Sequence, residues 1–269
     1  MKNFVDINDL NLNQLRDILS ISHVIKKKRK QLDKGSKDYF KFLNNKIVAL
    51  LFKKPSTRTR FSFEVGIFQM GGKTITVSNS EMQLSNLESM SDTANVLSRY
   101  VDMVVIRTEN HSDILDLIKH SNIPIINGLS DKSHPCQVLS DIFTFEEERG
   151  SIKNKKVVWL GDKNNVCNSY IHAAERFEFN LVISAPLELM SFKDNSQNYL
   201  FEKDPFKAIE NADLVVTDTW YSMHQTKKDR DLRRKIMNKY TLSNEMLSAA
   251  KKNCLVFHCM PIYRNNEIT

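Results

Sequence analysis

Eight short apolar runs, spread along the whole chain and separated by stretches of helical periodicity, constrain its fold more than any other feature. In the first half they occupy 47–52, 74–77, 103–106 and 123–126; in the second, 156–160, 181–184, 213–217 and 255–258. A run of four to six apolar residues bounded by turn formers reads as a buried strand. Strands alternating with helices need right-handed crossovers and give largely parallel sheets. No sequence repeat links the halves, yet each supplies four such runs. The expected architecture is therefore α/β, with two doubly wound parallel-sheet domains, and 269 residues are enough for two cores. The expected divisions are 1–134, a connecting helix over 135–150, and 151–269. Pro135 suits the first turn of that helix. Val138, Leu139, Ile142 and Phe143 give it an apolar face, and Gly150-Ser151 ends it. Residues 1–45 read as helical, with a weak stop near Lys34-Gly35-Ser36 and with Leu15, Ile18, Leu19, Ile21 and Ile25 as apolar positions.

Composition excludes several classes. Hydrophobic residues make up 41% and charged residues 26%, the balance of a globular protein. No apolar run approaches the length of a membrane span, and the first residues lack a signal-peptide core. Cys136, Cys167, Cys254 and Cys259 show neither disulfide nor metal spacing, so free thiols in the cytoplasm are expected. The net charge is +7, with the densest basic run at Lys26-Lys27-Lys28-Arg29-Lys30. That run continues a helical segment, and cations suit a helix C-terminus. A nucleic-acid surface is the alternative, but neither interleaved aromatics nor a binding motif accompanies it.

The polar residues with chemistry cluster where each strand ends. Ser56-Thr57-Arg58-Thr59-Arg60 follows the first run and opens a helix in which Phe61, Val65 and Phe68 recur near 3.6 before Gly71-Gly72. Hydroxyls and guanidiniums at a helix N-terminus combine free backbone N–H groups with positive potential, which fits phosphate. Simple N-capping with two solvated arginines is the plainer reading, but a cap needs one hydroxyl and here three share five positions. Ser80-Glu81-Met82-Gln83 follows the second run, Arg107 the third and His134-Pro135-Cys136-Gln137 the fourth. In the second half Gly161 to Asn165, Asp218 to Met223 and His258-Cys259-Met260-Pro261 hold the same place. Ligands of open parallel sheets bind beyond the carboxyl ends of the strands. A site in the cleft between the sheets is therefore expected. His134 and Cys259 taken alone suit a structural histidine and a small buried residue; Trp220 and Met223 suit either core or a mobile lid.

Taken together, and in this order along nearly the whole chain, these motifs resemble the aspartate/ornithine carbamoyltransferase family, in its ornithine branch. The S-T-R-T-R loop, Arg107 and H-P-C-Q match the family's carbamoyl-phosphate ligands; the cysteine of H-P-C-Q is typical of the ornithine branch. Asp162-Lys163-Asn164-Asn165, the Asp218-to-Met223 segment and His258-Cys259-Met260-Pro261 match its acceptor side. The resemblance implies that Ser56, Thr57, Arg58 and Thr59 hold the phosphate, and that Arg107 and His134 donate to the carbonyl oxygen. It implies that Gln137 orients the carbamoyl nitrogen and that Cys259 and Met260 also line this substrate. Asn165, Asp218, Ser222 and Met223 are implied to bind ornithine, with Cys259 assisting deprotonation of its side-chain amine. Carbamoyl transfer to L-ornithine would give citrulline and phosphate, in arginine metabolism, without metal or other cofactor. The family also implies a homotrimer in which Gln83 reaches a neighbour's carbamoyl phosphate. Two departures stand out. His224 follows Ser222-Met223 where the family has glycine, and the chain stops at Thr269 where the family continues to a further carbamoyl-phosphate arginine and a returning helix. A shortened version of a longer product is the expectation. Another amine acceptor, or a non-catalytic anion-binding relative, is the rival.

Overall fold

The computed structural model describes residues 3–78, 80–81, 89–189, 199–221 and 227–269, which divide into two units, Met1–Gln137 and Val138–Thr269. In the first unit β1 (Ile47–Phe52), β2 (Lys73–Ser78), β3 (Met103–Arg107) and β4 (Ile125–Leu129) form a parallel sheet in the order β2-β1-β3-β4. Helices α1 (Leu12–Arg29), α2 (Thr57–Gln69), α3 (Met90–Tyr100) and α4 (His111–His120) accompany it. Its strands are apolar on both faces because both are covered. Ala49, Leu51, Val104 and Ile106 pack with Ala94, Ile114 and Leu117 of α3 and α4. Val48, Leu50, Phe52 and Val105 pack with Ile67 of α2.

In the second unit β5 (Lys156–Leu160), β6 (Asn180–Ser184), β7 (Leu200–Phe201), β8 (Leu214–Asp218) and β9 (Leu255–Cys259) make a parallel sheet in the order β7-β6-β5-β8-β9. α5 (Pro135–Arg149) starts at the proline, and from Val138 onward it clusters with this unit. α6 (Asn165–Phe177), α7 (Pro205–Ile209), α8 (Lys227–Met237) and α9 (Asn244–Leu247) complete the described helices. The last residues return to the core: Leu242 N–H donates to Glu267 O, Thr269 N–H donates to Leu242 O, and Glu267 is fully buried. Both sheets reverse their winding beside their first strand, between β1 and β3 and between β5 and β8. These reversals are where such sheets take ligands.

Several expectations need correction. The helix of the first 45 residues stops at Arg29. There the Arg29 guanidinium pairs with Asp38 and donates to the carbonyls of Asp33, Lys34 and Ser36, wrapping the following chain around itself. Of the apolar positions in α1, Leu15 and Leu19 are buried while Ile18 and Ile21 are exposed. The spacing of Phe61, Val65 and Phe68 does mark a helix, α2, and the stripe is exposed: Phe61 by 62%, Val65 by 43% and Phe68 by 45%. β4 lies two residues later than its apolar run and pairs with the backbone of Phe4. The second sheet has a fifth strand, β7, too short for a pattern. Trp220 is core rather than lid, buried with Met237, Tyr240 and Leu242.

Candidate active site

At the reversal of the first sheet, β1 runs into Lys53-Lys54-Pro55 and α2 begins. Ser56 takes extended backbone angles (φ −157°, ψ 101°) as the N-cap residue, but its side chain makes no capping hydrogen bond. The hydroxyl is thus not spent on the helix, which removes the plain capping reading for Ser56. Thr57 and Arg58 are exposed and Thr59 half-buried. Arg60 forms an i,i+4 pair with Glu64, which also accepts from Thr76 Oγ1 at 2.5 Å. A cavity of about 750 Å³ opens beside Ser56 and Thr57 and runs along Arg60, Thr76, Ser78 and Ser80.

Arg107 ends β3, level with Phe52 of β1. Between Ile106 and Arg107 the register against β4 slips by one residue, opposite Gly128, where a Cβ would lie 3.3 Å from Ile106 O. The extra residue lies on β4, so this bulge bends β4 beside Arg107. Arg107 Nη1 donates to Thr59 Oγ1 at 3.2 Å, tying strand end to helix start. Its Nε is buried with no hydrogen-bond partner among the described residues. Burial, and then the neighbouring Arg58 cation, push its pKa down. Lys54, paired with Glu109, is pushed down by burial and by Arg107. Positive charge is therefore crowded and partly desolvated here, the condition in which an anion is stabilising.

His134 directly precedes α5, and its neighbours Ser133 and Cys136 are both tied to Asn127 of β4. Asn127 of β4 is fully buried and donates through Nδ2 to Val5 O and to Ser133 Oγ, both at 3.0 Å. Cys136 Sγ donates to Asn127 O at 3.5 Å, and burial raises that thiol to about 12. Burial first, then the Arg107 cation, lower His134 to about 3, so its imidazole is neutral at any working pH. Gln137 sits half-buried in the same first turn of α5.

At the reversal of the second sheet the pattern repeats with acidic residues. Asn164 caps α6, and Asn165 is the first residue of that helix, half-buried. Asn164 Nδ2 donates to Asp218 Oδ2 at 2.8 Å, and Thr219 N–H donates to Asp218 Oδ1 at 2.7 Å. Burial nevertheless raises Asp218 to about 6; the two hydrogen bonds and His258 oppose the shift, and Glu267 adds to it. Cys259 is level with Asp218 in the β8–β9 register, half-buried, and Met260 after it is 55% exposed. His258 Nε2 and Glu267 Oε1 lie 3.1 Å apart, and Tyr263 N–H donates to the same carboxylate at 2.6 Å. Asp162 pairs with Arg233 of α8.

Within each unit, then, the fold brings the expected residues to one edge: Ser56, Thr57, Arg58, Thr59, Arg107, His134 and Gln137 in the first, Asn165, Asp218, Cys259 and Met260 in the second. Gln83, Ser222, Met223 and His224 lie outside the described residues. Sequence reasoning did not assign Asn127, Asn164 or Glu267. Asn164 carried a signal, an asparagine directly before a helical apolar pattern. Asn127 and Glu267 carried none, since a buried polar residue is recognised only by what it touches. Among the described residues no group of three or more His, Cys, Asp or Glu could hold a metal ion, and no helix is long and apolar enough to cross a membrane.

Comparisons with known proteins agree across the full length. Two family models match: aspartate/ornithine carbamoyltransferase, carbamoyl-P binding domain, over residues 2–147, and aspartate/ornithine carbamoyltransferase, Asp/Orn binding domain, over residues 153–269. Ornithine carbamoyltransferase of Roseobacter denitrificans is 45% identical over 276 aligned positions, covering 100% of this chain and 90% of its own length. That of Cereibacter sphaeroides is 43% identical with the same coverage. Among solved structures, ornithine carbamoyltransferase from Pyrococcus furiosus superposes with a TM-score of 0.92 at 36% identity, covering 100% of this chain and 87% of its own. The enzyme from Burkholderia thailandensis does so at 0.89 and 35%, covering 100% and 88%.

Proposed function

Because the chain belongs to the aspartate/ornithine carbamoyltransferase family, we propose that it transfers the carbamoyl group of carbamoyl phosphate to the side-chain amine of L-ornithine, giving L-citrulline and phosphate. The observation that carries this reading is identity of 43–45% over the whole chain to enzymes of that name. The strand-end residues are those the chemistry needs.

The first unit binds carbamoyl phosphate. Ser56, Thr57 and Thr59 offer hydroxyls and the free N–H groups of α2, and Arg58 adds a guanidinium; each charge-assisted bond contributes about 1.5–3 kcal/mol. Arg107 and the neutral His134 donate to the carbonyl oxygen, where negative charge develops as the amine adds. Gln137 orients the carbamoyl nitrogen. The second unit binds ornithine: ionised Asp218 takes the α-ammonium group, and Asn165, Ser222 and Met223 take the carboxylate end. Cys259, with Met260, helps position the side-chain amine of ornithine in its neutral form. Nitrogen then bonds to the carbamoyl carbon, the amine proton is lost, and the carbon–oxygen bond to phosphate breaks. Much of the acceleration comes from aligning two bound substrates.

The working form is a homotrimer in the cytoplasm, serving arginine metabolism, with Gln83 reaching a neighbouring subunit. The exposed Phe61, Val65 and Phe68 of α2 support an interface between copies, since apolar patches on a surface mark such contacts. Citrulline formation, with ornithine, putrescine and aspartate offered in parallel, tests the activity: ornithine alone should react. A monodisperse, active monomer in sedimentation would refute the trimer.

A further inference from the structure

We propose that Asn164 is a positioning residue for the acceptor amino acid: it ties Asp218 to the N-terminus of α6 and so aims that carboxylate at the substrate's α-ammonium group. This deepens the function proposed above and rests on it. The two adjacent asparagines then have different tasks, with Asn165 touching substrate and Asn164 holding the group that touches it.

The Asn164 side chain is committed at both ends. Its Oδ1 accepts from Val166 N–H and Cys167 N–H, each at 3.0 Å, and its Nδ2 donates to Asp218 Oδ2 at 2.8 Å. Only a carbonyl can accept from two helix N–H groups, and only the amide nitrogen can donate to a carboxylate, so one orientation satisfies both. Asp218 receives a second donor, Thr219 N–H, on its other oxygen. Each oxygen thus carries one protein donor, and an ionised carboxylate has about four acceptor sites, which leaves room for an ammonium group. The bond joins β8 to the start of α6 across the sheet reversal, and the two residues are 54 apart in sequence.

The other titratable groups acting on Asp218 are His258 of β9 and Glu267 of the terminal segment, and Cys259 is its neighbour in register. Burial already raises this carboxyl to about 6. Donation from Asn164 favours the ionised form, so its loss moves the titration upward.

Capping and aiming can be separated because aspartate caps a helix about as well as asparagine. Asn164→Asp keeps the acceptor for Val166 and Cys167 but turns a carboxylate oxygen against Asp218. Two carboxylates then face each other at a buried site, so we expect its melting temperature to fall more at pH 8 than at pH 5, where they can share a proton, and its KM for ornithine at pH 8 to rise roughly tenfold or more. Its KM for carbamoyl phosphate should change by less than about twofold, and the acid limb of kcat/KM for ornithine should move to higher pH. Asn164→Ser keeps a capping hydroxyl, lacks the longer amide donor that reaches Asp218, adds no charge, and should show a smaller rise. It decides the matter by the same readouts if Asn164→Asp does not fold. Unchanged ornithine KM and acid limb would overturn the proposal, as would an equal rise in both KM values. Ornithine binding is measured by calorimetry alongside turnover. Wild type that neither binds ornithine nor makes citrulline overturns the underlying function; active or ornithine-binding wild type with unaltered variants overturns the role of Asn164 alone.

Discussion

The two sheet reversals are built alike and charged oppositely. At each, one side-chain hydrogen bond crosses from a strand end to the start of the neighbouring helix: Arg107 to Thr59 at 3.2 Å in the first unit, Asn164 to Asp218 at 2.8 Å in the second. In the first, the group at the strand end is the cation, its pKa lowered by burial and by Arg58. In the second it is the anion, raised to about 6 by burial. Desolvation penalises whichever charge is present, so each edge is poised for a ligand of opposite sign. Similar α/β layouts can therefore carry opposite charge at the residues that end their strands.

The most direct way to break the comparison is to remove the first edge's cation. Arg107→Ala should lower kcat/KM for carbamoyl phosphate by about 10²–10³, the loss of one oxyanion donor, on the order of 3–4 kcal/mol. Arg107→Lys keeps the charge but not the planar fork and should fall between. Steady-state kinetics with ornithine saturating would check both, and a loss under about threefold in the alanine variant would mean the oxyanion is held elsewhere.

At the second edge, Asp218→Asn should raise the KM for ornithine roughly ten- to a hundredfold, the worth of one charge-assisted bond. It should also remove a pH dependence. In the wild type, kcat/KM for ornithine should break at about pH 6 and fall about a further tenfold per unit below it, beyond the loss set by protonation of the substrate's side-chain amine, because protonated Asp218 cannot hold an ammonium group. His134, lowered to about 3, does not titrate in that range. The stability effect has the opposite sign. Since the folded pKa of Asp218 lies above the unfolded value of 3.8, its stabilising contribution is complete below that value and is lost as pH rises through about 6. The stability of Asp218→Asn relative to wild type should therefore be greater at pH 8 than at pH 4. An acid limb that persists in the variant would assign it to another group.

How much of this was legible depends on the range of the interaction concerned. The strands were readable because a covered parallel strand is a continuous apolar run: 47–52 and 156–160 match β1 and β5 at both ends. The strand-end motifs were readable because topology sends them to one edge. The stripe Phe61, Val65, Phe68 was visible, but periodicity marks a stripe without saying what covers it, and in this chain it faces outward. The stop of α1 depends on Arg29 reaching carbonyls several residues ahead, which no local pattern records. Asn164 announced its cap but not its bond to Asp218, 54 residues away. Glu267 looked like any charged residue near a chain end, yet it is fully buried against His258 and the Tyr263 N–H.

The smallest expected effect sharpens the comparison most, because it concerns the crossing bond of the first edge. Thr59→Val is nearly isosteric and removes the acceptor for Arg107 Nη1. The bond is charge-assisted, but Thr59 is only half-buried and water can take its place, so the KM for carbamoyl phosphate should rise roughly two- to tenfold with no change for ornithine. On the proposed assignment the loss stays small, because several donors would share the phosphate while the Arg107 guanidinium retains other N–H groups. The second edge has no such redundancy. Asp218 is aimed by one side-chain donor and one backbone donor, so breaking its tie should cost more than breaking the Thr59 tie. A double-mutant cycle between Thr59→Val and Arg107→Lys measures the first coupling directly. If Thr59→Val alone costs as much as Arg107→Ala, Arg107 depends on its tether as closely as Asp218 does, and the two edges differ only in sign.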